Sequence, residues 1–255
     1  MAQKELAMPT IGLIIIGDEV LSAKRQDCHL AQANAILKPR GLALSWVQIL
    51  GDEPVRLTRT LRQSFASGEI VFCFGGIGAT PDDRTRQCAA AALGVPLERH
   101  PQAVAEIEAQ FGPEAYPQRV RMAEFPLGAA IIPNFYNRVP GFSIGEHYFM
   151  PGFPMMAKPM MEWVLDTYYA DLTQAMTLEK GVRIFNGHES DWIVFMEAFT
   201  IEFPQLRLFS LPSLRADGSR WIELGIEGEA ALVEQAIERI LDEVKERSVD
   251  WEWVN

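Results

Sequence analysis

The chain has 255 residues, of which 48% are hydrophobic and 22% charged, enough for one large domain or for a domain of about 150 to 180 residues with a smaller companion. Its formal net charge of −11 argues against nonspecific nucleic-acid binding, which requires basic surface, but not against a small phosphorylated ligand. No apolar run reaches the roughly 20 residues that span a bilayer, so we expect no membrane partner.

A buried strand is the first predicted element. It covers Ile11 to Ile16 and is followed directly by Gly17, Asp18 and Glu19, at the carboxyl end of the strand, where open α/β sheets bind their ligands. Without a fold these residues would be interpreted as a solvated turn. The apolar run is too short for the core of a signal peptide, and the three cysteines form no CxxC pair. We therefore expect a cytoplasmic protein.

Strand and helix patterns then alternate along the chain. Asp27 can cap a helix that continues to about Pro39, and His29 in its first turn is expected to be a partly exposed helix residue rather than a metal ligand. A strand over 42–50, a helix over 55–66 and a strand over 70–74 follow. This alternation predicts an α/β fold in which a mainly parallel sheet lies between two layers of helices.

The stretch from Ile70 to Cys88, IVFCFGGIGATPDDRTRQC, joins the third strand to a glycine loop and a helix start. Glycines let the backbone approach a bound group, and the free N–H groups in the first turn of a helix favour an anion. Thr80, Pro81 and Asp83 equally fit an ordinary helix start, as N-cap, first-turn proline and capping-box acid. The local pattern alone leaves anion binding and helix capping as alternatives.

The rest of the first domain continues the alternation. Helices are predicted over 87–93 and 101–111, strands over 129–133 and 147–150 on either side of a loop or hairpin at Pro140-Gly141, and a helix over 155–169. The second of these strands runs into the turn Pro151-Gly152-Phe153-Pro154. The predicted domain covers residues 8–170.

After a linker over 170–180 the pattern changes. Strands over 182–185, 206–211 and 221–228 and helices over 189–203 and 230–247 give the order β-α-β-β-α. This order predicts a small α+β domain over 180–250 with its helices on one face of the sheet. Trp251 and Trp253 are expected to pack or to mediate association.

Four motifs, taken together, resemble a known family. GDEVLSAKRQDCH begins at Gly17, GDEP at Gly51, GGIGATPDDRTRQ at Gly75 and MPGFP at Met150. Their order and separation resemble the molybdenum-cofactor-biosynthesis (MoCF) domain, in particular the amino-terminal part of the competence/damage-inducible protein A (CinA) family and the molybdopterin-binding-like half of eukaryotic FAD synthases. The resemblance covers residues 10–169, and the small domain looks like the one that follows in CinA-type chains. It implies a MoCF-like three-layer α/β/α fold and a homo-oligomer.

The resemblance also implies the site residues. Asp27 and Asp83 match the carboxylates most associated with activity, as metal ligands or a general base. The other residues that match the family's ligand loop and its second phosphate-side turn are Gly75, Gly76, Gly78, Thr80, Thr85, Gly152 and Pro154. Gly17, Asp18 and Glu19 are expected to complete the site. The chain departs from the CinA pattern where Asp27-Cys28-His29 replaces Asp-Thr-Asn and where Phe153 replaces a proline.

Two classes of function follow from the resemblance. The first is a pyrophosphatase that hydrolyses a nucleotide diphosphate such as ADP-ribose or FAD with a divalent metal, Mg²⁺, Mn²⁺ or Co²⁺. The second is a protein that binds molybdopterin or a related phosphorylated ligand without turning it over, with a molybdopterin adenylyltransferase-like enzyme as a variant. The altered Asp27-Cys28-His29 triplet keeps open a third interpretation, in which the site is inactive and the chain serves a partner interaction.

Overall fold

Residues 9–172 and 177–254 are described by the computed structural model of the chain. The chain divides into two compact units, Met1–Thr173 and Gln174–Asn255. The predicted domain start at residue 8 and residues 173–176 of the predicted linker lie outside the described residues. Within the two described ranges, none of the helices combines the length and the apolar character that a membrane span requires.

A six-stranded sheet lies at the centre of the first unit. The strands of this unit are β1 Ile11–Ile16, β2 Trp46–Leu50, β3 Ile70–Phe74, β4 Leu97–Arg99, β5 Glu124–Pro126, β6 Ala130–Ile132, β7 Gly141–Ile144 and β8 His147–Met150. The spatial order in the central sheet is β2-β1-β3-β8-β7-β6. The pairs β1-β2, β1-β3 and β3-β8 are parallel, whereas β7 runs antiparallel to β8 and β6. β4 and β5 form a separate ribbon.

Helices cover both faces of this sheet. They are α1 Asp18–Leu21, α2 His29–Leu37, α3 Pro54–Phe65, α4 Thr85–Leu93, α5 Pro101–Phe111 and α6 Pro154–Tyr168. Because side chains alternate along a strand, Leu13 and Ile15 of β1 pack with α2 and α6, whereas Ile14 and Ile16 pack with α3, α4 and α5. The predicted three-layer α/β/α fold with a mainly parallel sheet is therefore confirmed.

The stretch between β6 and β8, predicted as a loop or hairpin around Pro140-Gly141, contains an additional strand, β7, which begins at Gly141 and pairs with both. A Pro-Gly pair is typical of turns, but Gly141 here serves a close approach: a Cβ at this position would lie 2.3 Å from the Phe149 carbonyl oxygen. Phe142 and Phe149 stack across the hairpin with ring centroids 4.4 Å apart. The short strands β4 and β5 are also absent from the prediction, and β2 begins at Trp46 rather than at residue 42.

The second unit is a separate antiparallel sheet with helices packed on it. Its elements are β9 Leu178–Phe185, α7 Ile193–Glu202, β10 Arg207–Leu214, β11 Arg220–Gly228, α8 Ala230–Glu246 and β12 Trp251–Trp253, with the strand order β10-β11-β9-β12. One apolar core joins the strands to both helices. β9 begins at Leu178, before residue 180, and the tail after residue 250 forms β12 beside it. Trp251 packs against the core of this unit.

Candidate functional site

The carboxyl ends of three neighbouring parallel strands meet at one edge of the central sheet. Gly17 follows β1, Gly75 follows β3 and Gly152 comes shortly after β8. The Gly75 N–H donates to the Met150 carbonyl at 3.0 Å, and a Cβ on Gly152 would lie 3.3 Å from the Gly75 Cα. A cavity of about 450 Å³ opens at these strand ends, the place where open α/β sheets bind ligands.

Thr85 holds two carbonyl groups of the loop after β3. Its hydroxyl donates to the Gly75 carbonyl and its N–H to the Gly76 carbonyl, both at 3.0 Å, and Thr85 is fully buried. Because the C=O and N–H of one trans peptide point in opposite directions, the N–H groups of Gly76 and Ile77 point away from Thr85. Among the described residues we find no acceptor for either. Successive free N–H groups of this kind form an anion-binding nest.

Asp83 closes the far end of the glycine loop. Its Oδ2 accepts from the Thr80 N–H at 2.9 Å and from the Thr80 hydroxyl at 2.5 Å, while the Asp83 N–H donates to the Thr80 carbonyl at 3.1 Å. The interpretation of Thr80 as a helix N-cap is therefore wrong. The helix α4 begins only at Thr85, with Arg84 at the N-cap position and no side-chain cap. Residues 80–83 instead form a turn that is closed by its own hydrogen bonds.

Carboxylates from three loops line the cavity, namely Glu19, Asp52, Asp82 and Asp83. Asp52 Oδ2 accepts from the Asp18 N–H at 3.0 Å, and the Asp52 N–H donates to Asp18 Oδ1 at 3.2 Å, which ties the loops after β1 and β2 together. Burial raises the pKa of Asp52, the hydrogen bond from the Asp18 N–H opposes this, and the negative charges of Asp18, Glu19 and Asp82 add to the rise. A carboxyl whose pKa is shifted by burial and by neighbouring charges in a cavity is a candidate functional group.

Asp52 is not among the site residues predicted from the sequence. It belongs to the GDEP motif, whose sequence is typical of a turn and a helix start. The helix-start part is correct, because both Glu53 carboxylate oxygens accept N–H groups from the first turn of α3. What brings Asp52 to the site is the pairing of β2 with β1, which a single motif does not reveal.

Asp27 is not among the residues that line the cavity. Its Oδ1 accepts from the His29 N–H at 2.9 Å and its Oδ2 from the Leu30 N–H at 3.0 Å, so both oxygens cap α2. His29 is only 5% exposed, contrary to the expectation of partial exposure, and stacks on Phe74 with ring centroids 4.6 Å apart. Burial lowers the pKa of His29, opposed by the Asp27 charge and by a hydrogen bond to the Gly152 backbone.

The structure brings most of the predicted site residues to one cavity. Those that line it are Gly17, Glu19, Gly75, Gly76, Gly78, Thr80, Asp83 and Gly152. The others lie around it: Asp18 is hydrogen-bonded to Asp52, Asp27 caps α2, Thr85 lies behind the loop, and Pro154 is the first residue of α6.

Part of the cavity lining is apolar and comes from residues that the sequence analysis does not assign to the site: Phe111, Met122, Val139, Phe153 and Met156. Phe153 is 55% exposed, so its ring is accessible to a ligand in the cavity. Asn137 also lines the cavity, and its amide group donates to the Met156 sulfur at 3.7 Å, a weak acceptor. These residues lie on α5, on α6 and in connecting segments, so only the tertiary structure joins them.

The predicted metal ligands do not come together as a pair around the cavity. Asp27 and Asp83 are each engaged by backbone N–H groups, and only Asp83 lines the cavity. Within 9–172 and 177–254, no three His, Cys, Asp or Glu side chains cluster as a metal site would require. One or two of the lining carboxylates Glu19, Asp52 and Asp82 would suffice for a Mg²⁺ ion of the kind that takes its remaining ligands from water and from phosphates of a substrate.

The first unit matches a known protein family. A family model described as "Probable molybdopterin binding domain" matches residues 12–170. A CinA-like protein of Anaeromyxobacter dehalogenans is 31% identical over 172 residues, which cover 64% of this chain and 42% of that protein. For a CinA-like protein of Koribacter versatilis the identity is 33% over 190 residues, covering 70% and 46%. The chain therefore spans less than half the length of these relatives.

A solved structure shows the same fold. The crystal structure of the protein CinA from Thermoplasma acidophilum matches with a TM-score of 0.57 and 23% sequence identity, covering 65% of this chain and 99% of that chain.

Proposed function

This chain is a CinA-like member of the molybdopterin-binding domain family, and from that premise we propose that the cavity of its first unit binds molybdopterin or a related phosphorylated ligand. The observation that carries the proposal is the orientation of the glycine loop. Thr85 holds the carbonyls of Gly75 and Gly76 on one side, which leaves the next two N–H groups for an anion. A phosphate placed there receives hydrogen bonds without displacing any made by the protein.

The apolar part of the lining suits the other half of such a ligand. Molybdopterin and nucleotides join a phosphate to a flat heteroaromatic ring system, and a cavity of about 450 Å³ is within the range that holds small ligands. Phe153 and Met156 follow directly on the Gly152 turn, so they lie beside the loops that receive the phosphate. We therefore assign the phosphate to the glycine loop and the ring system to the surface around Phe153.

Phe153→Ala is expected to separate these two parts of the ligand. The variant should bind FAD or ADP-ribose about tenfold more weakly, the usual effect of losing one aromatic stacking partner, while its affinity for inorganic pyrophosphate stays unchanged. Isothermal titration of both ligands measures the two affinities. The matched control is Phe135→Ala, because Phe135 is 67% exposed and is not part of the lining.

Two results would contradict the proposal. Wild-type protein that binds none of pyrophosphate, ADP-ribose and FAD would refute a phosphate site on the glycine loop. Equal losses of pyrophosphate and FAD affinity in Phe153→Ala would refute the division between loop and aromatic surface.

A second candidate function, hydrolysis of the bound pyrophosphate, is favoured by the environment of Asp52. Its carboxyl lines the cavity, its pKa is raised, and its Oδ1 is 3.4 Å from where a Cβ of residue 76 would be. It can therefore accept a proton from a water that attacks phosphorus, as the bridging oxygen leaves with the other phosphate. Glu19 or Asp82 would hold a divalent cation together with water and the phosphates of the substrate, and the cation would neutralise charge on the phosphates.

Asp52→Asn is expected to lower AMP release from ADP-ribose by about 100-fold or more, the usual contribution of a general base, without weakening binding. Asparagine keeps an oxygen that can accept from the Asp18 N–H, so the loop should remain in place. Glu98→Gln, which changes the net charge equally at an exposed position of β4, is the control. Wild-type protein that binds ADP-ribose but releases no AMP with Mg²⁺, Mn²⁺ or Co²⁺ would leave binding as the function and refute hydrolysis.

A further inference from the structure

A buried arginine lies directly behind the glycine loop. Arg86, in the first turn of α4, is 2% exposed. One terminal nitrogen donates to the Gly78 carbonyl at 2.5 Å, and the other donates to the carbonyls of Arg121 and of Glu124, the latter at 3.4 Å. The Arg86 guanidinium therefore joins the glycine loop to residues 121–124, at the start of β5.

This contact orients one more peptide of the loop. The Ala79 N–H belongs to the same peptide unit as the Gly78 carbonyl, so it points away from Arg86. Ala79 lines the cavity, and in the described part of the chain its N–H has no acceptor. Thr85 and Arg86 thus hold three loop carbonyls, and the N–H groups of residues 76, 77 and 79 are left for a ligand.

The charge of Arg86 has no ion-pair partner among the described residues. Glu124, whose charge acts on the guanidinium from further away together with that of Asp83, forms its ion pair with Arg99 at 3.7 Å. The Arg86 Nε is buried without a hydrogen-bond partner in the protein. Burial lowers the pKa of Arg86, but a guanidinium remains protonated at neutral pH. A buried cation that is satisfied only by carbonyl dipoles is costly, and a nearby anion reduces that cost.

We propose that the buried positive charge of Arg86 is a counter-charge to the phosphate in the cavity. Arg86 positions the Ala79 N–H, and its charge attracts the phosphate through the glycine loop. The inference rests on the proposed function, because it concerns the same cavity. Arg86 does not line the cavity, so it is a positioning residue rather than a ligand contact. Its effect passes through protein rather than through water, where salt screens charges within about 10 Å at 0.1 M.

Titration of inorganic pyrophosphate into four proteins tests the inference. Arg86→Gln should bind at least tenfold more weakly than wild type, the effect of about one unit charge across protein interior, and the loss should persist in 0.5 M salt. Arg86→Lys keeps the charge without the planar fork and should recover most of the affinity. Arg84→Gln is the matched control, because Arg84 is exposed and, within the described ranges, its guanidinium donates to the Pro81 carbonyl alone; the small loss of affinity expected for this variant should disappear in salt.

Each outcome has a distinct meaning. No binding by wild type would overturn the proposed function and the inference with it. Wild-type binding with equal behaviour of Arg86→Gln and Arg84→Gln, or an Arg86→Lys variant as weak as Arg86→Gln, would overturn the counter-charge alone. If Arg86→Gln does not fold, the ¹⁵N signal of the buried Arg86 Nε–H in wild type decides: a shift on adding pyrophosphate supports the inference, and an unchanged signal refutes it.

Discussion

Replacing Gly75 with alanine is expected to destabilise the first unit by about 4 kcal/mol or more and to abolish ligand binding. Gly75 has a φ of +104°, and a Cβ there would lie 2.0 Å from the Ile16 carbonyl oxygen. That oxygen ends a central strand that is paired on both sides, with β2 and with β3. The clash is therefore relieved only by separating the strand ends that form the cavity.

Gly68→Ala is the matched control for this variant. Gly68 also has a positive φ, +71°, but no atom lies within 4 Å of its Cβ position. Alanine there should cost only the roughly 1–2 kcal/mol of a left-handed backbone. Urea unfolding, followed through hydrogen exchange of the β3 amides, reports on the first unit in both variants. Equal losses of unfolding free energy would mean that the contact with Ile16 relaxes at no cost, contrary to our expectation.

Acidification from pH 7 to pH 4 is expected to cost the first unit about 3 kcal/mol through His147 alone. His147 is 2% exposed, and burial lowers its pKa from 6.5 to about 4. The folded protein therefore holds a neutral imidazole, with Nε2 2.7 Å from the Ser64 Oγ, while the unfolded chain binds a proton below pH 6.5. The stabilisation is complete above that pH and is lost as the pH falls towards 4.

His147→Gln removes this titration but keeps a side chain that can hydrogen-bond to Ser64. It should be less stable than wild type at pH 7 and should lose less stability on acidification, so the two curves of unfolding free energy against pH converge near pH 4. His29, whose pKa burial also lowers, titrates in both proteins and cancels in the difference. Parallel curves for the two proteins would show that His147 is not the group responsible.

The fold of the first unit is largely predictable because its parallel strands are buried on both faces. β1 and β3 are continuous apolar runs with every residue buried, a pattern that few other structures produce. The antiparallel half of the central sheet is harder to predict. β7 is a short strand that begins at a glycine, and its position depends on the stacking of Phe142 on Phe149. No local sequence pattern predicts this contact. The strand β12 escapes prediction for the same reason, because it pairs with β9 far away in the chain.

The candidate site also has one part that the sequence predicts and one part that it does not. The glycine-loop residues form one continuous motif, and the rule that parallel strands end at the same edge joins them to Gly17 and Gly152. Asp52, Phe153 and Arg86 are different, because their roles depend on which element packs beside them. Asp83 illustrates the limit within a motif: sequence rules for helix starts place it in a cap, whereas its carboxylate closes a turn before the helix begins.

The separation in sequence of the strands around the cavity has a consequence for protein synthesis. A nascent chain that has just released the glycine loop contains β1, β2 and β3, but Gly152 follows β8, which is made much later and pairs with β3. Until then one side of the cavity is missing, and the proposed ligand has no complete site to bind. A ligand stabilises only the state that binds it. It therefore cannot assist the early folding of the emerging chain, and it stabilises the first unit only after the chain through β8 has folded.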